Sequence, residues 1–201
     1  VHRMLTFTAR QFEGKVPQPG ALNEADNALL EMARAAFDKV GGLIELARFK
    51  EALREVMALA GEANRYLDET APWKAIKSDR ERAGTSVYVI LSVINQLKVL
   101  TSPFLPFSAQ QLNGLLGFEG EVSKLPWEPQ ELPAGQALDP NPTPLFEKLD
   151  EANVAVENEV LGRPWEDPEG PITEDRPQPH VVIYEGEIKT RQELGEDWDR
   201  A

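Results

Sequence analysis

The sequence predicts an all-α fold, an antiparallel bundle of about five helices followed by a Pro-rich, acidic C-terminal extension. Three observations predict it. Apolar residues in the first 120 positions recur every three or four, which is the helical spacing. The segments that interrupt this spacing are short, and short connections make successive helices antiparallel neighbours. From Pro126 onward prolines accumulate, in LPWEPQELPAGQALDPNPTPLF and again in GRPWEDPEGPITEDRPQP. Such sequence makes extended chain lying along a surface rather than a second core.

The first helix is expected in VHRMLTFTARQFEG, where Met4, Leu5, Thr8 and Phe12 share a face. The second runs from Leu22 to about Glu45, with Ala25, Leu29, Ala33, Ala36, Phe37, Val40, Leu43 and Ile44 in register straight through Gly41 and Gly42. The third starts near Arg48, turns Phe49, Leu53, Val56, Met57, Ala60 and Leu67 inward, and stops at Pro72, because proline disfavours the helical conformation in the residue before it. The fourth starts near Asp79 and carries Val87, Val89, Ile90, Val93, Ile94, Leu97 and Leu100; it is apolar on more than one side, which places it centrally. SPFLP breaks it. The fifth, SAQQLNGLLG, has Ser108 as its expected cap and Gly117 as its stop. These helices make a bundle over 1–118. An extended return segment follows over 119–162, with a short helix near 144–160, and then an acidic tail over 163–201. A short antiparallel pairing within HVVIYEGEIK, 180–189, is expected in that tail.

Charge divides the chain at the same place. The net charge is −13, yet residues 1–120 hold 14 Lys and Arg against 14 Asp and Glu, so the excess acid lies wholly beyond them. A hydrophobic content of 41 % is compatible with a packed core. The absence of cysteine excludes disulfides and thiol chemistry and suits a cytoplasmic protein. No uninterrupted apolar run approaches the roughly 18 residues of a membrane span, so no membrane partner is expected. The start at Val1 inside a helical pattern reads as a piece of a longer protein. Only His2 and His180 are present, so paired-histidine metal sites and histidine triads lack their parts. Neither GxxxxGK[ST] nor GxGxxG occurs. The sequence therefore offers no catalytic residue and no metal ligand set.

Trp73 stands out because it follows Pro72 where a helix has just ended. In such a place it either packs on the end of the bundle or offers its ring to a ligand. Single-stranded RNA loops are read by stacking bases on aromatic rings and hydrogen-bonding their edges with arginines. Arg3 and Arg10, seven apart, project from one face of the first helix; each alone is equally a solvated arginine. Lys74 and Lys77 follow the tryptophan as rim lysines of the kind that attract phosphate. With Arg80 and Arg82 they also make an ordinary solvated helix start, since Asp79 and Glu81 lie among them. Asn64 and Tyr66 read as structural. Trp127, Trp165 and Trp198, in Pro-rich or acidic surroundings, read as anchors of extended chain or as parts of a tail.

Three stretches, RMLTFTARQFEGKVP, ARFKEALREVMALAGEANRYLDETAPW and INQLKVLTSPFLPFSAQQL, resemble in order and spacing the anticodon-binding domain of methionyl-tRNA synthetase over about residues 1–118. PLFEKLD, 144–150, resembles the end of the chain in that family. The resemblance implies a helical domain that reads the CAU anticodon of tRNA(Met) beside a class I catalytic domain. It implies that Trp73 stacks on an anticodon base and that Arg3 and Arg10 meet anticodon bases. The family's partner asparagine would fall four residues before Arg3, outside the chain. Sequences resembling HIGH and KMSKS are absent, so no aminoacylation is expected of this chain alone. No cofactor is expected in it either, ATP and zinc belonging to the family's catalytic part. The implied partners are the tRNA anticodon loop and that catalytic domain, with no DNA. A helical protein-interaction module without RNA function, or the bundle of another class I synthetase, remains the alternative on the residues alone.

Overall fold

The computed structural model describes residues 1–146, 181–184 and 187–190, and the chain divides into two units, Val1–Lys148 and Leu149–Ala201. The first unit is helical: α1 His2–Gln11, α2 Glu24–Glu45, α3 Phe49–Thr70, α4 Pro72–Ala75, α5 Arg80–Thr101 and α6 Pro106–Leu115, followed by a 3-10 turn at Val122–Lys124. In the second unit, β1 Val181–Tyr184 pairs antiparallel with β2 Glu187–Thr190, Val181 opposite Thr190 and Tyr184 opposite Glu187. This is the expected pairing, extended by one residue. Of the short helix expected near 144–160, residues 144–146 are not helical and the remainder lies outside the described residues, as do Trp165 and Trp198.

Each helix has a local cause. A capping box starts α2: the Asn23 side chain accepts from Asp26 N and the Asp26 carboxylate accepts from Asn23 N, both at 2.9 Å. The helix continues through Gly41 and Gly42 because its buried stripe of Leu29, Ala33, Phe37 and Val40 holds it against α3 and α5. The tight turn after it uses Ala47 at φ 55° and returns Arg48 N to Leu43 O, which sets α3 beside α2. Asp79 caps α5 by accepting from Arg82 N at 2.9 Å. This helix occupies the centre, touching every other helix of the unit. By length and composition it could cross a membrane, although its Ser, Asn and Gln residues leave no uninterrupted apolar run; 89 % of its most apolar stretch is buried against its neighbours.

Two expectations are corrected. The buried face of α3 is Ala52, Val56, Leu59, Ala63 and Tyr66, while Phe49 and Met57, expected inside, are 56 % and 58 % exposed. Small Ala52 and Ala63 let the helix approach its neighbours closely, and the seam lies about 100° (one residue) from the line of larger side chains. Ser108 does not cap α6. Pro106 occupies the first helical position, where its missing N–H costs nothing, so the helix begins three residues earlier than a Ser108 cap would set it. Gly117 does stop it, at φ +77°. A side chain there would also run into Ala137 O.

The return chain acts as a strap. Trp127 Nε1 donates to Phe37 O at 3.0 Å, with the two rings edge to face at 5.6 Å, so this tryptophan anchors extended chain as expected. Gln96 and the Gln130 backbone exchange two hydrogen bonds, 2.7 and 2.8 Å, and Asn95 Nδ2 donates to Gln130 O at 2.9 Å. Farther on, Val16 N donates to Gln136 O, Gly135 N to Val16 O and Leu138 N to Gly14 O, fastening the strap to the segment just after α1.

Candidate functional site

The end of the bundle where α3 stops is organised around one buried carboxylate. Asp26 is fully buried. It accepts from Arg82 Nη1 at 2.7 Å and Nη2 at 2.5 Å, from Tyr66 Oη at 2.5 Å and from Asn23 N at 2.9 Å. Burial pushes its pKa up, but the hydrogen bonds from Arg82, Tyr66 and Asn23, with the Arg82 charge, outweigh that and hold it below the ordinary carboxylate range. Burial and the bond to Asp26 raise the pKa of Tyr66, and the same carboxylate raises that of Arg82. The network joins the start of α2, the end of α3 and the start of α5.

Those last two helix ends bracket Trp73. Thr70 Oγ1 donates to Tyr66 O at 2.8 Å in the last turn of α3, after which Ala71 takes a left-handed conformation, φ 37° and ψ 62°. This conformation is strained for a residue with a Cβ, and it swings the chain out of α3. Pro72 is buried and opens the one-turn helix α4. Trp73 therefore sits in a helical turn rather than the loop suggested by Pro72 alone. Asp79 N donates to Ala75 O at 2.7 Å, closing the turn onto the cap of α5.

Trp73 is half-buried, and its ring is covered by the Arg3 guanidinium, with Cζ 3.6 Å from the ring centroid. Two of the residues singled out in the sequence, from opposite sides of α2 and α3 in chain order, are thus in contact. Arg3 and Arg10 line one shallow groove of about 410 Å³ on α1, with His2, Thr6, Phe7 and Gln11. Lys74 and Lys77 are exposed beside the tryptophan. Arg82, expected in a solvated helix start, is instead the partner of Asp26 with its side chain 28 % exposed. The capping pattern NEAD ahead of an apolar run was the only local signal for Asp26; nothing local marked its long-range partners. Tyr66 is structural as expected. Among the described residues, no group of three His, Cys, Asp or Glu side chains could hold a metal ion.

Residues 16–161 match a family model, the anticodon binding domain of methionyl tRNA ligase. The chain belongs to this family. Trp73, Lys74 and Lys77 fall within the matched span of the anticodon-binding domain, and Arg3 and Arg10 precede it. The chain is similar to the methionine–tRNA ligase of Thermomicrobium roseum, 42 % identical over 187 residues, covering 80 % of this chain and 32 % of that protein. The methionine–tRNA ligase of Pyrococcus abyssi is 45 % identical over 149 residues, covering 74 % of this chain and 20 % of that protein. Among solved structures, the apo form of Mycobacterium tuberculosis methionyl-tRNA synthetase matches with a TM-score of 0.67 and 30 % identity, covering 74 % of this chain and 30 % of that one. The chain thus spans a third or less of the curated relatives it matches.

Proposed function

We propose that this domain reads the CAU anticodon loop of tRNA(Met) for a methionyl-tRNA ligase, with Trp73 as the stacking platform. The observation that carries the reading is the Arg3 guanidinium set on the Trp73 ring. It puts a planar aromatic surface and a forked hydrogen-bond donor at one point, the pair of groups that single-stranded RNA recognition uses. Arg10, farther along the same groove, is the second donor to base edges. Lys74 and Lys77 supply salt-dependent attraction to phosphates. On this reading the rest of the enzyme, in the cytoplasm, carries out activation and transfer. ATP and zinc belong to that part, and this chain takes no cofactor.

The test is a paired titration. Trp73→Ala should weaken binding to a CAU stem-loop by about 1 to 3 kcal/mol, the worth of one stacked base, and reduce discrimination against a loop with its first anticodon base changed. Its melting temperature should hardly move, because a half-buried ring covered by an exposed arginine contributes little to the core. Unchanged affinity together with a large fall in melting temperature would make Trp73 a packing residue and sink the reading.

A further inference from the structure

Arg3 on Trp73 is not the only arginine laid over an aromatic ring beside α1. At the other end of that helix the Arg80 Cζ lies 5.1 Å from the centroid of Phe12, and Arg80 Nη2 donates to Gln11 O. The second contact occupies one of the carbonyls that the end of α1 leaves unpaired. Phe12 is itself firmly seated: Phe7 meets it edge to face at 6.3 Å, and Gly84 lets α5 come so near that an added Cβ would lie 3.3 Å from the ring. Arg80 is exposed. Its guanidinium is held in place from below and open from outside.

Nine residues separate Arg3 from Phe12, so at about 1.5 Å per residue the two stacks lie roughly 14 Å apart along the axis of α1. Beside Phe12 and Arg80 opens a hollow of about 450 Å³ whose wall also includes Lys15, Glu13 and Glu81. The two carboxylates make it a poor seat for a phosphate. They suit the amino groups on the edge of a nucleobase.

We propose that Arg80, held on Phe12, is a second stacking platform that takes another base of the same RNA loop, beyond the base on Trp73. This rests on the reading of the domain as an anticodon reader. Arginine planes stack on bases as aromatic rings do, and an arginine already fixed by a carbonyl and a ring has little freedom left to lose on binding.

The experiment titrates the full chain, wild type, Arg80→Ala and Arg80→Lys, with a CAU stem-loop and with loops carrying one abasic nucleotide at each position in turn. Arg80→Ala should bind the intact loop about tenfold more weakly. At one abasic position other than the first anticodon base, wild type and Arg80→Ala should bind equally, since the base that Arg80 holds is then missing. Arg80→Lys keeps the charge and a donor for Gln11 O but has no plane, and should lose nearly as much as alanine; it also serves if the alanine variant folds poorly. An equal loss on every loop, or wild-type binding by Arg80→Lys, would leave Arg80 a cap of α1 and overturn the proposal. If Trp73→Ala weakens binding while Arg80→Ala does not, the second platform alone falls. If neither changes binding, the anticodon reading falls with it.

Discussion

Replacing Asp26 by Asn should destabilise the fold by about 3 kcal/mol. Removing one partner of a buried ion pair costs about 3 to 5 kcal/mol. The lower end applies because the Arg82 side chain, 28 % exposed, can turn partly to water. Asn keeps the volume but presents an NH2 to donors that all need an acceptor. The network also sets an order. Arg82→Ala should cost at least as much as Asp26→Asn, because it strands a fully buried carboxylate. Tyr66→Phe should cost less, about 1.5 to 3 kcal/mol for a single hydrogen bond to a charged group. For a unit of this size 1 kcal/mol moves the melting temperature by roughly 2 to 4 °C, so Asp26→Asn should lower it by about 6 to 12 °C, read by circular dichroism alongside urea midpoints. The pH dependence supplies a second check. The Asp26 carboxyl is held below its unfolded value, so its stabilisation is complete above the unfolded pKa and is lost as pH falls through the folded one. The acid limb of the stability curve should therefore be shallower in Asp26→Asn. An effect below about 0.5 kcal/mol, or a Tyr66→Phe variant less stable than Arg82→Ala, would refute the network as the fastener of this end.

Other outcomes follow from single contacts. Gly42→Ala should stabilise by about 0.5 to 1 kcal/mol, because it raises helix propensity into open space. Gly41→Ala should instead destabilise by about 1 kcal/mol, because its Cβ would lie 2.8 Å from Trp127 Nε1 and push the indole off Phe37 O; urea midpoints of the two variants decide the signs. Lys98 is buried with its ammonium 3.8 Å over the Phe118 ring, and burial lowers its pKa to about 8. The unfolded state then holds the proton more tightly, so stability should rise with pH between about 8 and 10.4; that rise should vanish in Lys98→Met, measured by denaturation across that range. Lys74→Ala should flatten the salt dependence of stem-loop binding by about 0.7 in log–log slope and leave the discrimination between anticodons unchanged, as titrations at several salt concentrations would show.

Helices, their ends and the central place of α5 are legible in the sequence because they depend on near neighbours: apolar spacing, the Asp79 cap, the stop at Gly117. Orientation within an element is less so. Phe49 and Met57 mislead because bulk was taken for burial, whereas a helix seam is set as much by where Ala52 and Ala63 allow close approach. At the candidate site, Trp73 is conspicuous from its place after Pro72, and Arg3 and Arg10 from their heptad spacing. The Asp26–Tyr66–Arg82 network and the Arg80–Phe12 stack are not legible, since Asp26 lies 40 and 56 positions from its partners and Arg80 lies 68 from Phe12, and both arginines look like an ordinary solvated helix start. The strap was foreseeable as extended chain, but its fastening points were not. Gln96 reads as one polar residue in an apolar helix until Gln130 is laid against it.

The strap also has a consequence in time. Val16 and Gln136, whose N–H to O bond helps fasten it after α1, lie 120 positions apart. At about 5 to 20 residues per second, ribosomes need roughly 6 to 24 s to cover that distance. During this interval α2, α3 and α5 can already collapse on one another through their own closely spaced contacts, while the helix bearing Arg3 waits for its clasp. Closing so long a loop is a slow step. The helix bearing Arg3, made well before its clasp, is therefore locked late, and a chain halted before residue 136 would carry a formed bundle whose arginine helix rests on α5 and Trp73 without the strap.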